Sequence, residues 1–247
     1  MRILTIGLLL LLVTTSFAQT TPREQLDPKV TEVWDLKPKK INAGANPGEA
    51  PSDAVVLFSG KDLSEWTTLD GGAPKWDVKD GVFTVAKGGG DIKTKKSFGD
   101  FQLHIEWRAP SEIVGEGQGR GNSGIFLQER YELQVLDSYE SVTYSNGQAG
   151  SIYKQSVPLV NACRKPGEWQ TYDVIYTAPR FGESGRVIVS AYITVLHNGV
   201  LIQSHTQING PTEYKGQPVY AVHGKGGIKL QDHGNPVSYR NIWIREL

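Results

Sequence analysis

The segment Tyr131-Glu132-Leu133-Gln134-Val135-Leu136-Asp137 concentrates acid–base chemistry in this chain of 247 residues. In a strand, alternate residues share a face, so Glu132 and Gln134 point one way and Asp137 the other. A single β-bulge adds one residue and returns Asp137 to the face of Glu132. The row is then carboxyl, amide, carboxyl at i, i+2 and i+5. Two close carboxyls drive their pKa values apart, leaving one protonated and one ionised, as glycosidic-bond cleavage requires. The competing reading is a half-exposed strand with Glu132 in water and Asp137 in a turn.

Other polar groups fall into patterns that could complete such a site. Phe101-Gln102-Leu103-His104-Ile105-Glu106-Trp107-Arg108 alternates strictly. Its polar face makes Glu106 a third carboxylate if that face is concave, and one half of a cross-strand ion pair if it is not. Asn122 stands where a glycine-rich loop enters a strand, placed either to donate to a sugar hydroxyl or to hold a turn. Lys229, Gln231 and His233 share a face by alternation, and His233 beside Gly234 is a rival base to the acids. Arg240 reads as an anion clamp or an ion-pair partner. Lys154 could polarise a carbonyl or stay in water. The candidate catalytic residues are therefore Glu132, Asp137 and His233. The candidate substrate-binding residues are Glu106, Asn122, Gln134, Lys154, Gln231 and Arg240. Trp66, Trp76, Trp107, Trp169 and Trp243 read mainly as core, with one or two available as sugar-stacking platforms. The five histidines show no metal-ligand spacing and no calcium loop is present. No cofactor or metal site is evident, while a divalent cation held by side chains from separate strands stays open.

The elements that must position these groups are strands. The run 101–108 has one apolar face, Phe101, Leu103, Ile105 and Trp107. Runs 187–196 and 200–207 flank Asn198-Gly199, a strong hairpin signal. Runs 228–231 and 238–246 read as two more strands. Amphipathic helical periodicity is nearly absent, and 28 Gly with 13 Pro suit a turn-rich all-β chain. The expected fold is a jelly-roll β-sandwich of two antiparallel sheets. Gly119-Arg120-Gly121-Asn122-Ser123-Gly124 fits G-x-G-x-x-G but leads into a strand, so it reads as a flexible loop rather than a dinucleotide site. Formal net charge is +0, which argues against a nucleic-acid partner. Cys163 is the only cysteine, so no internal disulfide can form.

At the N-terminus, Arg2, an apolar run over residues 3–13 and Ser16-Phe17-Ala18 read as a cleavable signal peptide over residues 1–18. The run is short of the roughly 20 residues a membrane-spanning helix needs. No cysteine follows it for lipid attachment, so the expected location is periplasmic or secreted. Residues 19–53, rich in Pro, Lys and Gly, read as a loosely ordered arm with one short strand near residues 30–34. Residues 54–247 form the expected sandwich domain.

A set of short motifs, in order, resembles the 3-keto-disaccharide hydrolase domain family, formerly a domain of unknown function. They begin with Leu57-Phe58-Ser59-Gly60-Lys61-Asp62-Leu63-Ser64-Glu65-Trp66 and Trp76-Asp77-Val78-Lys79-Asp80-Gly81. Gly99-Asp100-Phe101, Gly121-Asn122-Ser123-Gly124-Ile125-Phe126-Leu127 and the acidic segment with Ser138 come next. Gly150-Ser151-Ile152-Tyr153 and Pro166-Gly167-Glu168-Trp169 follow. The last are Asn198-Gly199, Gly227-Ile228-Lys229-Leu230-Gln231-Asp232-His233-Gly234 and Tyr239-Arg240-Asn241-Ile242. Each is weak alone; their order over residues 53–247 is specific. Residues 115–121 and 183–186 look locally variable, which bears on substrate. The resemblance implies a concanavalin A-like sandwich, export, and action on glycosides oxidised at C3. A ketone at C3 acidifies the C2 hydrogen, so a base can remove it and the C1 aglycone leaves by β-elimination before water adds. Glu132 and Asp137 would then be the acid–base pair, with His233 as rival base and Gln134, Asn122, Lys154 and Arg240 as donors. Two other functions fit the residues: a retaining β-glucanase using Glu132 and Asp137, and a non-catalytic carbohydrate-binding module. The expected partner is an oligosaccharide or glycoside, with no membrane span and no obligate protein partner.

Overall fold

The computed structural model describes residue 23 and residues 26–247. The expected signal peptide over residues 1–18 lies outside the described residues. The chain divides into a unit ending at Lys40 and a second unit of residues 41–247. In the first, Pro28–Thr31 form a 3-10 turn, where the sequence suggested a strand near residues 30–34. Pro28 cannot donate to a ladder, and the Asp27 side chain accepts from the Lys29 N–H at 3.0 Å, which starts the turn instead.

Fifteen strands make up the second unit: β1 (Val55–Phe58), β2 (Trp66–Thr68), β3 (Asp77–Lys79), β4 (Val82–Thr84), β5 (Ile92–Thr94), β6 (Phe101–Arg108), β7 (Ser123–Leu127), β8 (Tyr131–Val135), β9 (Gln170–Thr177), β10 (Arg180–Phe181), β11 (Val187–Val189), β12 (Ala191–His197), β13 (Val200–Ile208), β14 (Lys229–Leu230) and β15 (Ser238–Glu246). One sheet has eight strands, ordered β13-β12-β9-β6-β15-β4-β3, with β1 also paired to β15. A second has five, ordered β2-β5-β14-β7-β8, and β10 and β11 pair as a separate two-stranded ribbon. All named pairings are antiparallel. The fold is the expected β-sandwich. No helix among the described residues is long and apolar enough to cross a membrane.

The alternation in the sequence dictates the core. Phe101, Leu103, Ile105 and Trp107 of β6 are at most 1% exposed and face Ile125, Leu127, Leu133 and Val135 of the five-stranded sheet across one hydrophobic layer. Each buried aliphatic or Phe side chain contributes about 1.5–3 kcal/mol. The β12–β13 hairpin turns on Asn198 (φ 52°) and Gly199 (φ 80°), both left-handed as a two-residue hairpin turn demands.

The outer face of the eight-stranded sheet carries an ion-pair network. His104 Nδ1 lies 2.7 Å from Asp173 Oδ1, and Arg240 Nε donates to Glu106 Oε2 at 2.6 Å. A register shift in β15 between Arg240 and Trp243 puts Asn241 at φ 44°, and its amide donates to Glu106 Oε1 and to Gly48 O. Trp243 Nε1 also donates to Gly48 O, at 2.8 Å. Burial disfavours charged His104, but its bonds to Asp173 and Glu106 outweigh that and bring its pKa up to about 9. Burial likewise opposes ionised Glu106, yet His104, Asn241 and Arg240 hold it at about 2. Segment 42–53 is thus tied to the sandwich by Gly48 and by Asp53, whose Oδ2 accepts from Arg245 Nε at 2.8 Å, rather than loose along its whole length.

Candidate active site

The five-stranded sheet turns its outer face to a cavity of about 590 Å³. Side chains of β7 and β8 that alternate away from the core form its floor: Phe126, Glu132 and Gln134. Asn122 precedes β7, and Gln231 and His233 follow β14, giving a polar wall. On the other side of β8 stand Tyr144, Tyr153, Thr212 and Tyr214. Of the sequence-derived candidates, Glu132, Gln134, Asn122, Gln231 and His233 come together here.

Glu132 is 5% exposed and is the one carboxylate lining the cavity among the described residues. Burial pushes its pKa up to about 8; the nearby Lys229 ammonium counters this weakly and the Asp91 carboxylate adds to it. Lys229 is itself engaged, bonded to Asp91 at 3.1 Å and lying 3.7 Å over the Phe126 ring. The Glu132 carboxyl accepts at most one side-chain hydrogen bond. With its amide nitrogen turned inward, Gln134 donates to Glu132 Oε1 at 3.2 Å and to Ser123 O at 3.1 Å. Turned over, it donates to Gln118 Oε1 at 3.0 Å.

Gly124 makes room for this carboxyl. It pairs with Gln134 across the ladder, and a Cβ there would stand 2.5 Å from Glu132 Oε1 and 2.9 Å from the Phe126 ring. A glycine inside a strand marks such close approaches. The Asn122 amide is oriented by donating to Gln118 O at 2.6 Å, and its Oδ1 has no partner. Gln231 Oε1 is also without a partner. Buried acceptors left open in a polar cavity suit a ligand rich in hydroxyl donors.

Four candidates lie elsewhere. Asp137 is the first correction. The β7–β8 register is regular from Ser123↔Val135 to Leu127↔Tyr131 and ends there, and Asp137, two residues past the end of β8, does not line the Glu132 cavity. Asp137 lines a separate pocket of about 90 Å³, where its Oδ2 accepts from Arg120 Nε at 2.6 Å and its Oδ1 from Tyr139 N–H at 3.2 Å. Glu106 and Arg240 are the second correction: they pair with each other on the eight-stranded sheet, on the far side of the core. Lys154 sits behind the cavity wall, its Nζ donating to Tyr214 O at 2.7 Å.

The glycine-rich segment is pinned rather than flexible. Gly117–Gly119 form a 3-10 turn, Asn122 N–H donates to Asn235 Oδ1 at 2.8 Å, and Asp137 N–H donates to Arg120 O. Sequence reasoning missed Gln118, Tyr144, Tyr153, Thr212 and Tyr214, which sit outside the regular strands. Trp66, Trp76 and Trp107 lie in the core as expected, at most 4% exposed, while Trp243 is buried on the outer face of the eight-stranded sheet, stacked on His104. Trp169 packs between the guanidinium groups of Arg108 and Arg240. Among the described residues no group of three His, Cys, Asp or Glu side chains is placed to hold a metal ion.

A family model described as a 3-keto-α-glucoside-1,2-lyase-like domain matches residues 53–245. The chain is 27% identical over 244 residues to the 3-keto-disaccharide hydrolase of Bacteroides thetaiotaomicron, covering 81% of each chain. A crystal structure of a candidate glycosyl hydrolase from Parabacteroides distasonis is 55% identical, with a TM-score of 0.88 over 92% of this chain and 100% of that one. A second from the same organism is 26% identical, with a TM-score of 0.60 over 84% and 100%. The family match runs through both sheets and includes every residue that lines the cavity. The chain belongs to the 3-keto-α-glucoside-1,2-lyase-like domain family.

Proposed function

We propose that this protein cleaves 3-keto-glycosides at the anomeric bond, with Glu132 as the base that removes the C2 proton. The observation that carries the reading is a single, buried, nearly unpartnered carboxyl in a polar cavity, with its pKa raised to about 8. A base poised near neutrality is what proton abstraction beside a ketone calls for. A retaining glucanase needs two cavity carboxyls about 5–5.5 Å apart, and Asp137 is committed to Arg120 in another pocket.

In the proposed sequence the Glu132 carboxylate takes the proton from C2, and the electron pair becomes an enolate on the C3 oxygen. The enolate collapses to form the C1–C2 double bond as the C1–O bond breaks, and the departing oxygen takes a proton. Water then adds to C1 of the enone and a proton returns to C2, giving net hydrolysis. Glu132, protonated in the first step, gives the proton to the departing oxygen, and His233, exposed on the polar wall, is proposed to contact the sugar. Gln134 and Asn122 position the sugar, and Asn122 Oδ1 and Gln231 Oε1 accept from its hydroxyls. Asp137, Glu106 and Arg240 serve the fold. Export follows from the leader-like residues 1–18, and the exported chain would begin at Gln19.

The test is incubation with paired native and 3-keto glycosides, read by mass spectrometry. Cleavage of the 3-keto member alone is expected. Equal cleavage of both would remove the elimination mechanism, and cleavage of neither would favour a binding module.

A further inference from the structure

Opposite the polar wall, three tyrosines and one lysine form a structure that the proposed proton transfers do not use. Tyr214 is 69% exposed and Tyr144 is 40% exposed, yet both line the cavity. They are held in place. Lys154 Nζ lies 4.1 Å over the Tyr214 ring and 5.7–5.8 Å from the centroids of Tyr153 and Tyr144. The same ammonium donates to Tyr214 O, which fixes the loop that carries this ring. Tyr144 and Tyr153 are joined hydroxyl to hydroxyl at 2.5 Å. Lys154 reaches this position from a left-handed backbone, φ 60°, closed by its N–H donating to Asn146 O at 2.8 Å. A left-handed lysine is uncommon and costs strain, which the rest of the motif must offset. At Glu132, Thr212 Oγ1 accepts the Glu132 N–H at 2.9 Å, anchoring the Tyr214 loop beside the carboxyl.

Sheet order gives the cavity a direction. Gln231 and His233 follow β14, on one side of β7. Glu132 lies on β8, on the other side, and Ile152 bridges β8 still further out, next to Tyr153. Crossing the cavity from β14 outward therefore meets unpaired acceptors, then the Glu132 carboxyl, then aromatic faces. Open acceptors suit a hydroxyl-rich ring. Large exposed aromatics held rigid before binding suit a flat, C–H-rich or aromatic face, because little rotamer entropy is lost on contact.

We infer that Tyr144, Tyr153 and Tyr214, braced by Lys154, form the leaving-group subsite, and that this subsite selects glycosides whose aglycone presents a flat ring face, a pyranose or an aryl group. The inference rests on the proposed function for the name of the departing group. The stacking itself does not depend on it.

The test measures kcat/KM for methyl, phenyl and glucosyl 3-ketoglucosides of one anomer with the wild-type protein, Tyr214→Ala and Lys154→Met. Tyr214→Ala is expected to lower the phenyl-to-methyl and glucosyl-to-methyl ratios about 10-fold, the factor that corresponds to about 1.4 kcal/mol of lost stacking. Tyr214→Phe should restore them. Lys154→Met should lower the same ratios by a smaller factor. A drop for one of the two ring aglycones alone narrows the class to that ring. Unchanged ratios overturn the subsite. If the wild-type protein cleaves no 3-keto glycoside, the mechanism fails but the subsite is still tested, by titrating phenyl and methyl glucosides calorimetrically. Phenyl should bind at least about 10-fold tighter, and lose that margin in Tyr214→Ala. Equal affinities for the wild-type protein would overturn the stacking itself.

Discussion

Replacing Glu132 by Gln should stabilise the protein in alkaline solution while removing its proposed base. In the folded state burial brings the Glu132 pKa up from the ordinary 4.5 to about 8. Between those two values the folded chain holds a proton that the unfolded chain releases, so stability falls as pH rises. The stabilising effect of the neutral acid is complete below pH 4.5 and is lost on passing through pH 8. At about 1.36 kcal/mol per pH unit, the whole cost approaches about 4–5 kcal/mol by pH 9, an upper bound for a site that opens to a cavity. Gln keeps the shape and carries no charge, so it avoids that cost. His104, with its pKa raised to about 9, also loses stabilisation over part of this range, but it does so equally in both proteins and cancels in the difference. Urea unfolding at pH 4.5, 7 and 9 measures the effect. The two proteins should be close at pH 4.5, and Glu132→Gln should lead by several kcal/mol at pH 9, on the order of 10 °C in Tm. Parallel stability curves across pH would refute the claim that Glu132 is desolvated and unpaired.

Activity should follow the same ionisation. Because the base must be ionised, kcat/KM for a 3-keto glycoside should rise about tenfold per pH unit and level off near pH 8; a flat profile between pH 5 and 8 would count against Glu132. Gly124→Ala places a methyl group 2.5 Å from Glu132 Oε1 and must displace the carboxyl. A displacement near 1 Å costs about 10²-fold in rate, checked by steady-state kinetics on protein of confirmed fold. Asp137→Asn weakens a buried ion pair with Arg120 and should lower stability by up to about 3–5 kcal/mol in denaturant unfolding. The folded variant should keep kcat within a few-fold of wild type, and a loss of 10²-fold or more would restore Asp137 to the chemistry.

The fold was legible because alternation is a direct record of burial. Phe101, Leu103, Ile105 and Trp107 declare one face of β6, and Asn198-Gly199 declares its hairpin, without help from distant residues. The cavity floor was legible for the same reason, since Glu132 and Gln134 share the outward face of β8. Asp137 was misplaced because alternation cannot report where a bulge occurs. One register shift lies in β15 at Asn241, where it serves the network on the other sheet. Glu106 and Arg240 were misassigned because a polar strand face does not reveal which sheet it belongs to. Gly124 was an available signal: a glycine inside an otherwise apolar strand points to a close approach, here the Glu132 carboxyl. The tyrosines had no such signal, because Tyr144, Tyr153 and Tyr214 come from irregular segments whose meeting depends on the Lys154 turn and the Thr212 anchor.

The most direct test of the mechanism follows the hydrogen at C2. A 3-keto glycoside carrying deuterium at C2 should be cleaved in ordinary water to a sugar that has lost that deuterium, faster than the free 3-keto sugar exchanges in a parallel sample without protein. Glu132→Gln should suppress cleavage and deuterium loss together, by on the order of 10²–10⁴-fold. Product that retains the C2 deuterium would contradict proton abstraction by Glu132 and the elimination that depends on it.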